Sequence, residues 1–273
     1  MKVAVLGMGI IGEIWAEHLC ADGLLSATWN RTPKTNAKLA VDSPHAAALK
    51  ANVLIVVVAD PPAVESTVNN MLPGLGPDHL IIQSSTIGPG DSERFQAAVE
   101  STGARYLEAP FTGSKPAASE RKLVYYLGGA LEQVHEAEPV LERLSAKRIH
   151  IGTGPQACSI KLAMNLQIAT LIEALCEALH TTRAGGVPDD IFFDCMRGNA
   201  SWSPLAAMKE PKLREQDYSP QFSVKHLLKD LRLLKVAKGT MPALDTMIEQ
   251  LSLCEKDGAA DLDFSALYEQ RTK

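Results

Sequence analysis

Val3-Ala4-Val5-Leu6-Gly7-Met8-Gly9-Ile10-Ile11-Gly12, at the start of a 273-residue chain, is the stretch that decides the fold. Four apolar residues in a row read as a strand buried on both faces, and the spacing of Ile10, Ile11, Ile14, Trp15 and Leu19 reads as an amphipathic helix running to Asp22. Between them sits GxGxxG, where a dinucleotide site requires it. Gly7 permits the tight turn, Gly9 lets the backbone approach a pyrophosphate, and Gly12 allows the helix to pack closely on the strand. Gly7, Met8, Gly9, Ile10, Ile11 and Gly12 are therefore the candidate phosphate cradle, with amide donors and positive potential from the helix N-terminus. A glycine-rich turn without a ligand is the plain alternative, and the strand-before, helix-after context weighs against it.

Working outward, the rhythm repeats. Leu24–Asn30, Asn52–Asp60 and His79–Thr86 are short β-rich runs separated by helical or basic stretches, which is the βαβ signature of a parallel, doubly wound sheet. After Gly152 the β-rich runs stop. The remainder reads as helices punctuated by Gly185-Gly186, Val187-Pro188, Gly198-Asn199, Tyr218-Ser219-Pro220 and Met241-Pro242. The longest helical pattern starts near Pro155 and continues to about Arg183. The expected architecture is α/β: a Rossmann domain over residues 1–154, then an all-α domain over 155–273 for substrate binding and dimerisation, the two joined by that long helix.

Composition narrows the function. The formal charge is −5, without long runs of one sign, and 46% of residues are apolar. No basic stripe is available for nucleic acid or an anionic membrane, so a small-molecule ligand is expected. Met1 runs straight into the apolar stretch Lys2–Leu6, which predicts a cytoplasmic protein without a signal peptide. Val53–Ala59, the longest strongly apolar run, is too short to cross a bilayer, so no membrane span is predicted. Five cysteines (20, 158, 176, 195 and 254) at irregular spacing read as reduced thiols, and no metal site is expected.

The end of the second strand bears on cofactor choice. An NAD site usually places Asp or Glu there to hold the ribose, yet no acidic residue occurs between Asp22 and Asp42. Asn30-Arg31-Thr32 stands there instead. Arg31 can grip a 2′-phosphate bidentately, with Asn30 and Thr32 as neutral donors, which favours NADPH over a reading of Arg31 as a solvated surface charge.

Three groupings further along carry candidate chemistry. Lys161 and Asn165, four apart on the long helix, share a face among apolar neighbours, and an ammonium beside a carbonyl can stabilise a developing alkoxide and protonate it. A snorkelling surface lysine is the bland alternative. Phe222, Lys225, His226, Lys229 and Asp230 fall at helical spacing and are expected on one broad face, as a pocket wall and polar contacts or as an ordinary salt-bridged surface. Ala109–Ser114 is a turn of small residues whose amides and hydroxyls suit a carboxylate, or an ordinary tight turn.

In this order, GMGIIG (7–12), WNRT (29–32), SST (84–86), EAPFTGSKPA (108–117), KLAMN (161–165), FSVKHLLKDLRL (222–233) and DLDFSAL (261–267) resemble the β-hydroxyacid dehydrogenase family, closest to its glyoxylate/succinic semialdehyde reductase branch. The resemblance spans nearly the whole chain. It implies that Lys161 is the general acid/base with Asn165 beside it, and that Thr112, Gly113 and Ser114 form the substrate-carboxylate loop. It further implies Thr86 and Lys229 as cofactor contacts and Phe222 and Asp230 as active-site wall. The implied activity is hydride transfer between NADPH and a small aldehyde or keto acid, in a homodimer or homotetramer. The rivals are an imine reductase of the same fold and a non-catalytic NADP-binding interaction protein, and the presence of Lys161 argues against both. Departures from the family pattern are Phe111 and Thr112 where Val and Ser are usual, Pro155 and Ala157 in place of glycines, and Ser119-Glu120-Arg121 where a glycine turn is common.

Overall fold

The computed structural model describes residues 1–35 and 37–272. The chain divides into two compact units, Met1–Lys161 and Leu162–Lys273. Among the described residues, eight strands lie in the first: β1 (Val3–Leu6), β2 (Leu25–Trp29), β3 (Val53–Val56), β4 (Leu80–Gln83), β5 (Arg105–Glu108), β6 (Phe111–Thr112), β7 (Leu123–Gly128) and β8 (Ser145–Gly152). They alternate with helices α1 (Ile10–Ala21), α2 (Pro44–Ala48), α3 (Pro61–Met71), α4 (Pro89–Glu100), α5 (Lys115–Ser119) and α6 (Leu131–Leu141). The long helix α7 (Gly154–Ala184) contributes its first turns to this unit and its remainder to the next. The second unit adds α8 (Asp189–Arg197), α9 (Pro204–Glu215), α10 (Val224–Lys238) and α11 (Pro242–Cys254).

The sheet runs in the order β2-β1-β3-β4-β5-β7-β6, with β8 beside β7. Strands β1 to β5 are parallel, as the βαβ rhythm predicts. Beyond β5 the sheet becomes mixed: β7 meets β5 antiparallel at Glu108–Gly128 and pairs parallel with β8. The short return strand β6 is antiparallel to β7, so the turn after Glu108 lies folded back along the sheet. The order reverses between β2 and β3 on either side of β1, the switch point outside whose carboxyl end a dinucleotide lies in open α/β sheets.

Period-two alternation sorts the strand residues into two cores. Val3, Val5, Val53, Ile55, Leu80 and Ile82 face one layer of helices with Trp15, Leu19 and Val140. Ala4, Leu6, Leu54, Val56 and Ile81 face the other with Val64, Val68, Phe95 and Val99. Both faces are covered, so β1 and β3 are wholly apolar and β4 is apolar up to its last residue, Gln83. Helix starts follow local chemistry. Asp60 accepts from the Ala63 amide ahead of Pro61, Ser43 from Ala46, and Ser203 from Ala206.

Helix α7 has 31 residues and is long and apolar enough, by length and composition, to cross a membrane. Contiguous apolar runs miss it, because its apolar residues are interrupted. Leu162, Ala169, Ile172, Leu175, Cys176 and Leu179 are buried in the core of the helical unit, against Phe193, Leu227, Leu231 and Leu251. Within that core Lys209 and Asp263 form an ion pair of 2.7 Å with both side chains fully buried. Asp263 also accepts from the amides of Gln221, Phe222 and Ser265. The tail is thereby tied to the segment ahead of α10.

One expectation changes in three dimensions. Phe222 is not on the helix that carries Lys229 and Asp230, because α10 begins at Val224 with Ser223 as its N-cap. At the departure from a glycine turn, Arg121 itself adopts φ +57°. Its guanidinium pairs with Asp22 at 2.6 Å and donates to the Arg143 carbonyl, contacts that offset the left-handed backbone.

Candidate active site

Backbone geometry builds the phosphate cradle. A Cβ on Gly7, whose φ is +109°, would stand 2.1 Å from the Val57 carbonyl oxygen, and one on Gly12 would stand 1.8 Å from the Gly7 oxygen. Those two glycines let strand, loop and helix close on each other. Gly9 is different, with nothing within 4 Å of where its Cβ would be. It is the N-cap of α1 and brings no side chain to the helix end, so the first-turn amides keep an open backbone face suited to a pyrophosphate. Met8 is buried, Ile11 partly buried and Ile10 exposed. The pyrophosphate of a dinucleotide fits this cradle.

Asn30 links that loop to the end of β2. Its Oδ1 accepts from the Met8 amide at 2.9 Å and its Nδ2 donates to the Thr32 carbonyl at 2.7 Å. Arg31 and Thr32 are exposed beside it. The asparagine therefore shapes both loops, and the arginine stands exposed just beyond the strand. Thr86, partly buried, lies in the loop between β4 and α4.

The carboxylate-loop candidates lie on and just after β6. Gly113 has φ +110°, and a Cβ there would press on Leu123 and Ala117. Thr112 meets the phenol of Tyr126, whose burial pushes its ionisation above the usual tyrosine range. Sequence reasoning missed Tyr126 because only the pairing of β6 with β7 brings it there. Phe111 packs edge-on against Trp15 (5.1 Å between centroids) and Tyr125 (5.9 Å), which makes the stem of the loop rigid. The Lys161 ammonium stands 5.9 Å from the Phe111 ring centroid, so lysine and loop stem are neighbours within the first unit.

In the second unit, Asn165 is fully buried and its Nδ2 donates to Asp230 at 2.6 Å. Asp230, 2% exposed, also pairs with Lys229 at 2.8 Å. The salt-bridge reading of Lys229 and Asp230 is thus realised, and it holds the asparagine amide in one orientation. Lys225 turns to Asp261, and the His226 ring meets the Ser223 hydroxyl. Phe222 lies edge-on to Phe264 at 5.9 Å and is held from its amide by Asp263. The DLDF tail, quoted above only as part of a resemblance, is the device that holds it.

Two family models match the chain. Residues 2–152 match the NAD-binding domain of 6-phosphogluconate dehydrogenase, and residues 155–270 the NAD-binding domain of NADP-dependent 3-hydroxyisobutyrate dehydrogenase. An uncharacterised oxidoreductase of Synechocystis is 31% identical, over 92% of this chain and 90% of its own length. Glyoxylate/succinic semialdehyde reductase 1 of Arabidopsis thaliana is 28% identical over 98% of each chain. Among solved structures, 3-hydroxyisobutyrate dehydrogenase of Mycobacterium tuberculosis with L-serine superposes with a TM-score of 0.89 at 26% identity, covering 98% of both chains. An imine reductase of Myxococcus stipitatus shares the fold alone, at 16% identity and a TM-score of 0.64.

Proposed function

We propose a reaction for this chain from one premise: it belongs to the β-hydroxyacid dehydrogenase family and is a nicotinamide-dependent oxidoreductase. The reaction is reduction of a small aldehyde or keto acid of the glyoxylate or succinic semialdehyde type, with NADPH as the preferred cofactor. The observation that carries this reading is the neighbourhood of Lys161 and the stem of the 112–114 loop, 5.9 Å from ammonium to the Phe111 ring, in a unit that also holds the dinucleotide cradle.

The nicotinamide, when bound, supplies the hydride. Gly7 to Gly12 hold the pyrophosphate with backbone amides, Asn30, Arg31 and Thr32 hold the adenosine 2′-phosphate, and Thr86 and Lys229 make further cofactor contacts. The Thr112, Gly113 and Ser114 loop binds the substrate carboxylate. Lys161 stabilises the charge that develops on the carbonyl oxygen and donates its proton there. Asn165, oriented by Asp230, positions the substrate, and Phe222 walls it off from water. Phe111, large and adjacent to the lysine, favours short acids.

The test is NADPH oxidation with glyoxylate, succinic semialdehyde, tartronate semialdehyde and methylmalonate semialdehyde, with NADH in parallel and a cyclic imine in the same panel. Lys161→Ala is expected to lower turnover by roughly 10²–10⁴-fold while NADPH still binds. Near-normal turnover in that variant would sink the assignment of the lysine. A preference for the imine would move the chemistry to imine reduction.

A further inference from the structure

We infer that Glu108 is a positioning residue whose buried carboxylate clamps the first turns of α7, and with them Lys161, to the carboxyl edge of the sheet. The inference rests on the assignment of Lys161 above. Glu108 is fully buried, as are Gln83 and Ser92, while Tyr106 is 1% exposed. Its Oε1 accepts from Gln83 Nε2 at 2.7 Å, and its Oε2 accepts from the Ser92 hydroxyl at 2.7 Å and the Tyr106 hydroxyl at 2.8 Å. Three donors converge on two oxygens, the arrangement that suits an anion.

The cradle reaches both sides of the candidate site. Gln83 cannot turn, because its Oε1 accepts from the Ser85 amide and its Nε2 donates to the Ser85 carbonyl. Ser85 in turn accepts from the Val58 amide just beyond β3, so the loop leading to Thr86 hangs on the same network. On the other side, a Cβ at Gly154 would stand 2.6 Å from Ser92 Oγ and 3.3 Å from Glu108 Cβ. The helix start is thus seated directly on the pair. Cys158, one turn further and 1% exposed, brings its thiol to Glu108. Lys161 follows three residues later. A negative charge beside a helix N-terminus is also favoured by the peptide dipoles.

The groups facing Glu108 are Gln83 from β4, Ser92 from α4, Tyr106 from its own strand, and Cys158 from α7. Asp91 acts on Cys158 from α4. Burial pushes both Tyr106 and Cys158 well up, so neither carries charge near neutrality. Burial also pushes Glu108 up, from 4.5 to about 7, against the hydrogen bonds of Ser92, Tyr106, Gln83 and Cys158. Protonation therefore falls within the working range. A proton on Oε2 makes that oxygen a donor as well as an acceptor, so one of the two hydroxyls must rotate to accept from it, and the negative charge that attracts the helix start is removed.

Glu108→Gln imitates the protonated state without leaving an unmet group, since the two hydroxyls can rotate to accept from the new amide. The variant should turn over more slowly than the parent above pH 7, where the parent carries the charge. Expected are a kcat lower by roughly tenfold with KM little changed, loss of an acidic limb near pH 7, and faster hydrogen exchange of amides 156–161. Tyr106→Phe, which removes one donor from the ionised form, should move that limb to higher pH. An acidic limb that neither variant moves, or exchange at 156–161 that stays as slow as in the parent, overturns the clamp. The exchange result stands whichever group donates the proton, so it separates failure of the clamp from failure of the Lys161 assignment, which Lys161→Ala reports.

Discussion

The proposed cofactor preference and chemistry rest on single residues. Arg31 is exposed at the end of β2, where Asn30 has already bent the backbone toward the Gly7 loop through the Met8 amide. Charge-assisted contacts to a phosphate are individually strong, so Arg31→Ala should weaken NADPH by about tenfold or more while leaving NADH unchanged. Titration of intrinsic fluorescence with each cofactor measures this. Equal weakening of both would place the guanidinium on the adenine instead of the phosphate. The candidates for these proposed roles could be picked out of the sequence because their positions depend on chain neighbours: a turn after a strand, a polar triplet after a strand, a lysine on a helix. Tyr126 and Glu108 were not assigned roles because their partners are distant in the chain. Thr112 meets Tyr126 across a strand pair, and Glu108 gathers donors from β4, β5 and α4.

At the scale of elements, the tail after α11 is more than a terminus. Asp263 is fully buried on the Lys209 ammonium and accepts from the Gln221 and Phe222 amides, so it couples α9, the tail and the segment carrying Phe222. Burial opposes the charge on Asp263, but Lys209 and the Ser265 donors hold its carboxyl below the usual range. Its stabilisation is then present above the unfolded value and is lost as pH falls through the folded one. Asp263→Ala leaves a buried ammonium without its counter-ion and should cost about 3–5 kcal/mol, read as a lower urea midpoint. A loss under about 1 kcal/mol would mean that water replaces the carboxylate there. The helical spacing of Phe222 with Lys229 and Asp230 misled the sequence reading for a related reason. Periodicity counts residues whether or not the helix has begun, and α10 begins only at Val224.

For the whole molecule, the expected assembly is a homodimer or homotetramer, by resemblance and from the long helix α7 that suits pairing of two chains. With a chain mass of 29.4 kDa, light scattering on eluted protein should return twice or four times that value, and a monomer alone would refute the expectation. The sequence by itself determined the parallel part of the sheet, the position of the dinucleotide cradle and the long helix. Each of these is written in local periodicity and glycine placement, which the chain expresses wherever it folds. Only the tertiary structure decided that β7 reverses against β5, that Phe111 stands beside the Lys161 ammonium, that Asp230 fixes Asn165, and that Glu108 sits charged or neutral under the start of α7. Those contacts join residues far apart in the chain. Their energies depend on burial and on the direction of hydrogen-bond donors, neither of which spacing along a sequence records.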